Sequence, residues 1–308
     1  MTSTPSQRSY TPAGLAAAGG TVLAWSAGIV FVKLTTSPVL VVSFWRHGFA
    51  LPLIALGWLA AGRPALRWKA ASIGGALFAL HQVLHFSALR YTTTAVVTIL
   101  FALQPILVAS AGGRVTGERA TPTFYAWAAV AVAGCAVLVG ASSGAAGTSP
   151  VGTLFAVANL VAFSAYFLAT KRARATVDAT SWLLVMTLVS GMIIATLAIV
   201  TRAPLTDPSG REWMWLAGIG IIPGSVGHFL ITWAHPRIHA AASSTVILVV
   251  PVLASIGSWL AVGERFGPLG AAGGVVALAA AWTALRHLPP PVERLEAEVA
   301  VAAAEAGG

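Results

Sequence analysis

Ten apolar runs alternate with short polar stretches along the chain, at roughly 13–32, 39–61, 70–89, 93–112, 123–142, 151–170, 180–200, 213–234, 240–261 and 268–286. Each is close to the ~20 residues that cross a ~30 Å hydrocarbon core at 1.5 Å per residue. No water is available there to pair backbone N–H and C=O groups, so spanning segments must be helices or a closed barrel. The period-two alternation of barrel strands is missing. The pattern predicts an all-α polytopic membrane protein with ten transmembrane helices. The first run is too long for a signal-peptide core and is kept as a spanning helix. Residues 1–12 and 288–308 read as polar tails, the second a proline run followed by an acidic, alanine-rich stretch.

Composition supports the membrane reading. The chain is 57% hydrophobic and 9% charged, with a mean hydropathy of +0.83; soluble domains carry about 25% charged residues. The net charge of +9 sits in short loops between apolar runs. That placement suits the cytoplasmic face of a bilayer and not a nucleic-acid surface. The partners expected are therefore lipid and a small-molecule substrate; oligomeric state is not encoded in any visible pattern. Cys135 is the single cysteine, which excludes an intrachain disulfide. No Walker loop and no H-E-x-x-H pair is present, so neither ATP-driven nor zinc-hydrolase chemistry is expected. No cofactor and no enzymatic activity are expected either.

The chain contains itself twice. At an offset of 146, Ala88, Pro105, Leu107, Gly117, Glu118, Arg119 and Pro122 fall on Ala234, Pro251, Leu253, Gly263, Glu264, Arg265 and Pro268. At an offset of 138, Gly14, Ser26, Ala27 and Lys33 fall on Gly152, Ser164, Ala165 and Lys171. A period near 140 residues marks whole-domain duplication. The organisation expected is a tail (1–12), a first five-helix repeat (13–142), a second (150–287) and a second tail (288–308). With the N-terminus in the cytoplasm, twelve of the eighteen Lys and Arg side chains lie inside, five lie outside, and Arg46 lies within a helix. Both termini are then cytoplasmic. Five is odd, so the second repeat crosses the membrane upside down, an inverted-repeat arrangement used by many secondary transporters.

The block from Ala88-Leu89-Arg90-Tyr91-Thr92 through Pro105 to Gly117-Glu118-Arg119 resembles the drug/metabolite transporter superfamily, EamA type. So does its twin from Thr232-Trp233-Ala234 through Pro251 to Gly263-Glu264-Arg265. Trp25 and Arg46 also stand where such transporters place a tryptophan and an arginine. The resemblance spans residues 13–286 and implies a ten-helix carrier of the inner or plasma membrane, usually an exporter of amino acids, related metabolites or drugs. Leu184 occupies the position that matches Arg46 in the second half. Arginine-dependent chemistry is therefore one-sided.

All nine acids lie in loops, tails or helix ends, which leaves no mid-membrane carboxylate to couple ions and points to a facilitator or a histidine-coupled carrier. Glu118 and Glu264 close their helices and read as interfacial groups. Arg46, about seven residues or ~10 Å into its helix, is either an anion clamp or a side chain snorkelling to the interface. Its neighbour His47 faces elsewhere and reads as structural. His81 and His85, spaced i, i+4 on one face, and His228 in the other repeat are candidate cargo-binding or titrating groups; helix–helix hydrogen bonds and a metal or haem site are the rival readings. Gln104, Trp25, Asn159 and Tyr166 complete the candidate substrate site, with ordinary packing as the alternative for the aromatics. Pro105 and Pro251 each free the carbonyl four residues earlier and are candidate hinges; a static kink is the other reading. The cavity is expected among helices one, three, four, six, eight and nine.

Orientation is directly testable. Cysteines introduced at Arg67 and Arg172 should react with impermeant reagents only from the cytoplasmic side, and cysteines in the 202–211 loop only from outside. External labelling at position 172 would contradict the inverted arrangement.

Overall fold

The computed structural model describes residues 10–92, 94–142, 149–206, 208–263 and 267–289. Arg8, Glu264, Arg265 and Arg294, used above in the charge and repeat patterns, lie outside the described residues, as does most of each tail. Among the described residues, ten helices are long and apolar enough to span a membrane: α1 (Pro12–Leu34), α2 (Val39–Ala60), α3 (Trp68–Tyr91), α4 (Val96–Val115), α5 (Pro122–Gly140), α6 (Pro150–Ala173), α7 (Ala179–Val200), α8 (Gly210–Arg237), α9 (Ala240–Ala261) and α10 (Pro268–Arg286). All ten coincide with apolar runs in the sequence.

Helix starts follow local chemistry. Thr11 caps α1 by accepting from Gly14 N–H at 3.0 Å, with Pro12 in the first turn, where no donor is lost. Ser149 and Pro150 repeat this arrangement at α6, with Gly152 N–H donating to Ser149 Oγ at 3.4 Å. Asp178 caps α7 through Thr180 N–H at 2.7 Å and Ser181 N–H at 3.3 Å. Gly117 and Gly263, at matching repeat positions, both adopt positive φ (77° and 73°) just beyond a helix, where a side chain would be strained.

Contacts between helices come in pairs related by the repeat. α3 lies along α6 as α8 lies along α1; α3 packs on α7 as α8 packs on α2; α5 packs on α10. The close approaches match as well. A Cβ on Gly14 would meet Arg237 Cβ at 2.8 Å, and one on Gly152 would meet the Tyr91 carbonyl at 2.4 Å. Tyr91 and Arg237 are themselves 146 positions apart.

Three helices are interrupted. α4 is broken into Thr94–Phe101 and Gln104–Val115, and α9 into Ala240–Ile247 and Val249–Val262. Each break lies just before a repeat-related proline, Pro105 or Pro251, and is closed by a tight i→i+3 bond, Leu103 N–H to Leu100 O and Leu248 N–H to Thr245 O, both 3.0 Å. α8 carries a π-helical stretch at Gly220–Gly227 around Pro223. That widened turn has no counterpart in α3.

The α5–α10 contact is built on backbone. A Cβ on Gly134 would stand 2.7 Å from Gly273 O and 2.6 Å from Ala277 N. Small residues at such crossings let helices gain dispersion contact that lipid cannot replace. Gly134→Ala is expected to lower stability by roughly 1–3 kcal/mol, read as a fall in thermal midpoint in detergent. Gly140→Ala, which meets nothing within 4 Å, should leave it unchanged.

Candidate functional site

The half of the bundle away from the start of α1 contains a cavity of about 130 Å³. Its walls come from the second half of α1 (Trp25 to Val32), Arg46 of α2, the second half of α3 (His81 to Leu89), the first half of α4, Phe163 of α6, Ile219 to His228 of α8, and Val250–Pro251 of α9. These are the six helices expected from the sequence, joined by α2.

An aromatic pair forms its centre. Trp25 and Phe163 meet edge to face at 5.7 Å between centroids. They occupy equivalent positions, 138 residues apart. Each carries a histidine from the opposing repeat: His228 lies 5.1 Å from Trp25, and His81 lies 4.5 Å from Phe163. Phe78 packs behind them, 4.9 Å from His228 and 5.0 Å from Tyr166. Phe163 was missed in the sequence reading, although the 138-residue offset that pairs Ser26 with Ser164 also pairs it with Trp25.

Arg46 is buried, with its guanidinium 4.9 Å from the Phe78 ring and lining the cavity. It does not snorkel to the interface. Among the described residues no hydrogen bond or ion pair satisfies it, so it is a fixed cation whose counter-charge must come from solvent or a ligand. Gly220 and Gly224 of the α8 π-helical stretch make room beside it. A Cβ on Gly220 would meet Arg46 O at 2.9 Å, and one on Gly224 would meet Arg46 Cγ at 3.5 Å.

The histidines are held by hydrogen bonds. His81 Nδ1 donates to Asn159 Oδ1 at 2.7 Å, and Asn159 Nδ2 reaches His85 Nδ1 at 3.5 Å. Tyr166 Oη lies 3.5 Å from His228 Nδ1. Asn159 and Tyr166 therefore support wall residues from behind and do not themselves line the cavity. His47 turns away toward α7, where its Nε2 is 2.9 Å from Ser190 Oγ, a helix–helix bond as expected. Among the described residues no group of three or more His, Cys, Asp or Glu side chains is gathered to hold a metal.

Two expectations need correction. Gln104, expected in the substrate site, is not in the cavity wall; it is fully buried and neither amide atom has a partner. The proline break turns the chain there, so Gln104 follows the second half of α4 into protein. Glu118 is not an interfacial group. It is 2% exposed and stands 3.0 Å from Lys171, itself 1% exposed and counted above as a loop charge. Its position at a helix end was the visible signal, whereas its partner is 53 positions away in the other repeat.

Among the described residues the cavity wall carries one guanidinium, polar side chains and aromatic rings, and no carboxylate. The model of the EamA-like transporter family matches residues 12–140 and, separately, residues 150–286. This chain belongs to the EamA-like transporter family. The family lies within the drug/metabolite transporter superfamily. Among curated proteins, the aromatic amino acid exporter YddG of Ancylobacter novellus is 33% identical over 168 residues, 52% of this chain and 54% of that protein. The chain therefore spans about half the length of this curated relative in the match. A solved crystal structure superposes with a TM-score of 0.77 at 23% identity, covering 88% of this chain and 96% of the other. It establishes that the fold is shared.

Proposed function

We propose that this EamA-like transporter is an exporter or facilitator of small carboxylate-bearing metabolites, amino acids above all, working by alternating access around the Trp25–Phe163 cavity. The carrying observation is the Arg46 guanidinium, which lines the cavity without a protein counter-ion. A cargo carboxylate supplies that charge bidentately. The aromatic walls then take the cargo side chain, with His81, His85 and His228 offering hydrogen-bonding groups. Size favours a small cargo over a bulky drug. The cavity, about 130 Å³, is comparable with the ~150 Å³ apolar void that accepts benzene. The similarity to an aromatic amino acid exporter supports the same cargo class.

The reading takes the two five-helix repeats as inverted, with both termini in the cytoplasm of a cell-membrane protein. The cavity then faces outward. Pro105 and Pro251, beside matching breaks, serve as hinges.

Reconstituted flux of an amino acid and of its uncharged amide tests the Arg46 role, after each variant is shown to insert. A charge-assisted contact contributes roughly 1.5–3 kcal/mol, about 10- to 150-fold in affinity. Arg46→Gln should lose that factor for the amino acid only, with Arg46→Lys intermediate. Equal losses for both compounds would assign Arg46 to folding and remove the carboxylate reading.

A further inference from the structure

Beneath the cavity the bundle is closed, and its end is fastened by buried charge. Glu118 follows α4, and Lys171 ends α6. Their charged groups stand 3.0 Å apart with no side-chain exposure. Each also grips the α8–α9 junction. Lys171 Nζ donates to His235 O at 2.6 Å and to Ile238 O at 3.1 Å, while Glu118 Oε2 accepts from Ala240 N–H at 2.7 Å. One ion pair thus ties α4, α6, α8 and α9 together, and the two charges come from different repeats.

The closed half is also unexpectedly polar. Gln104, Ser164 Oγ and Thr232 Oγ1 are buried there without a hydrogen-bond partner. The first half of α9 buries Ser243, Ser244 and Thr245, whose hydroxyls fall back on their own helix carbonyls. Unpaired buried polar groups are costly, and apolar residues of the same shape would fill this space better. Such groups are accounted for if water reaches them in another state.

We propose that Glu118 and Lys171 are the latch of a gate at this end, and that the polar seam above them is the transport path in its closed form. The proposal rests on the carrier reading of the cavity but not on its cargo. Parting the pair releases α9 from the ends of α4 and α6 together. The cavity then opens toward the start of α1, and the orphaned groups of the seam become its wetted wall. Holding the latch by charge, with Lys171 also bound to two carbonyls and Glu118 to one backbone N–H, keeps the closed end in one register.

The test uses Ser244→Cys as a reporter, one helical turn beyond Ala240 and fully buried. Its reaction with a small water-soluble maleimide is followed in purified full-length protein, without cargo. Native Cys135, buried in the cluster with Ala277 and Ala281 of α10, is the control for unfolding. Glu118→Gln with Lys171→Met removes both charges at once and leaves none orphaned. The reporter should react about tenfold faster or more, with Cys135 still protected, as the open-gate population rises. If that double variant does not fold, Glu118→Gln alone, which leaves Lys171 its two carbonyls, is read in the same way. An unchanged reporter rate would overturn the latch. Simultaneous exposure of Cys135 would also overturn it, because the pair would then hold the whole fold and not a gate. Neither outcome bears on whether Arg46 binds carboxylates, which the flux comparison decides separately.

Discussion

Hydrocarbon offers the backbone no partner, and everything else in this molecule is arranged around that fact. Each crossing is helical because only a helix closes its own hydrogen bonds within the segment. The α4 and α9 interruptions are buried at Gln104 and Leu248, while the α8 stretch turns Gly220, Pro223, Gly224 and Ser225 inward and leaves Ile221, Ile222 and Val226 on the outer face. The α4 and α9 breaks are bridged by tight turns. In the α8 stretch, the Ser225 hydroxyl donates to Gly220 O at 3.0 Å and to Ala50 O at 3.3 Å. Irregular backbone is tolerated at membrane depth when it is buried in protein or borders a cavity, and these breaks flank the cavity.

The same constraint makes close packing a matter of small residues. With lipid as apolar as leucine, helices gain little from hiding greasy surface and more from shape. Gly134 against Gly273 and Gly152 against the Tyr91 carbonyl are contacts that any side chain would break. α5 and α10 stand apart from the cavity. α1, α3, α6 and α8 enclose it, and their repeat-related contacts give two interlocking halves with a shared aromatic centre.

How much of this was legible in the sequence depended on the range of the signal. Helix number and position followed from hydropathy alone, because ~20 apolar residues have few alternatives. Trp25, Arg46, His81, His85, His228 and Pro251 were found as polar, aromatic or helix-breaking residues standing out in an apolar background, and they do meet at the cavity. Gln104 stood out equally and lies elsewhere, since depth along a helix says nothing about the face presented once a proline break has turned the chain. Phe163 was invisible as one phenylalanine among twelve, and only its repeat position distinguished it. The Glu118–Lys171 pair was hidden by position: Glu118 stands at a helix end, while its partner comes from another helix. The π-helical stretch of α8 had a proline and glycines to announce it, but nothing that fixed its hydrogen-bond register.

The Trp25–Phe163 pair places near-symmetric walls around a charge that has no mirror image, since Leu184 stands opposite Arg46 in the repeat. A carrier must pass cargo without becoming a leak. A guanidinium that cannot lose its proton, held in a region of low dielectric, raises the energy of hydronium and metal cations in the same space. In the proposed reading, the residue that accepts the cargo carboxylate therefore also opposes cation leakage, even in the empty protein, when no cargo is present to plug the path.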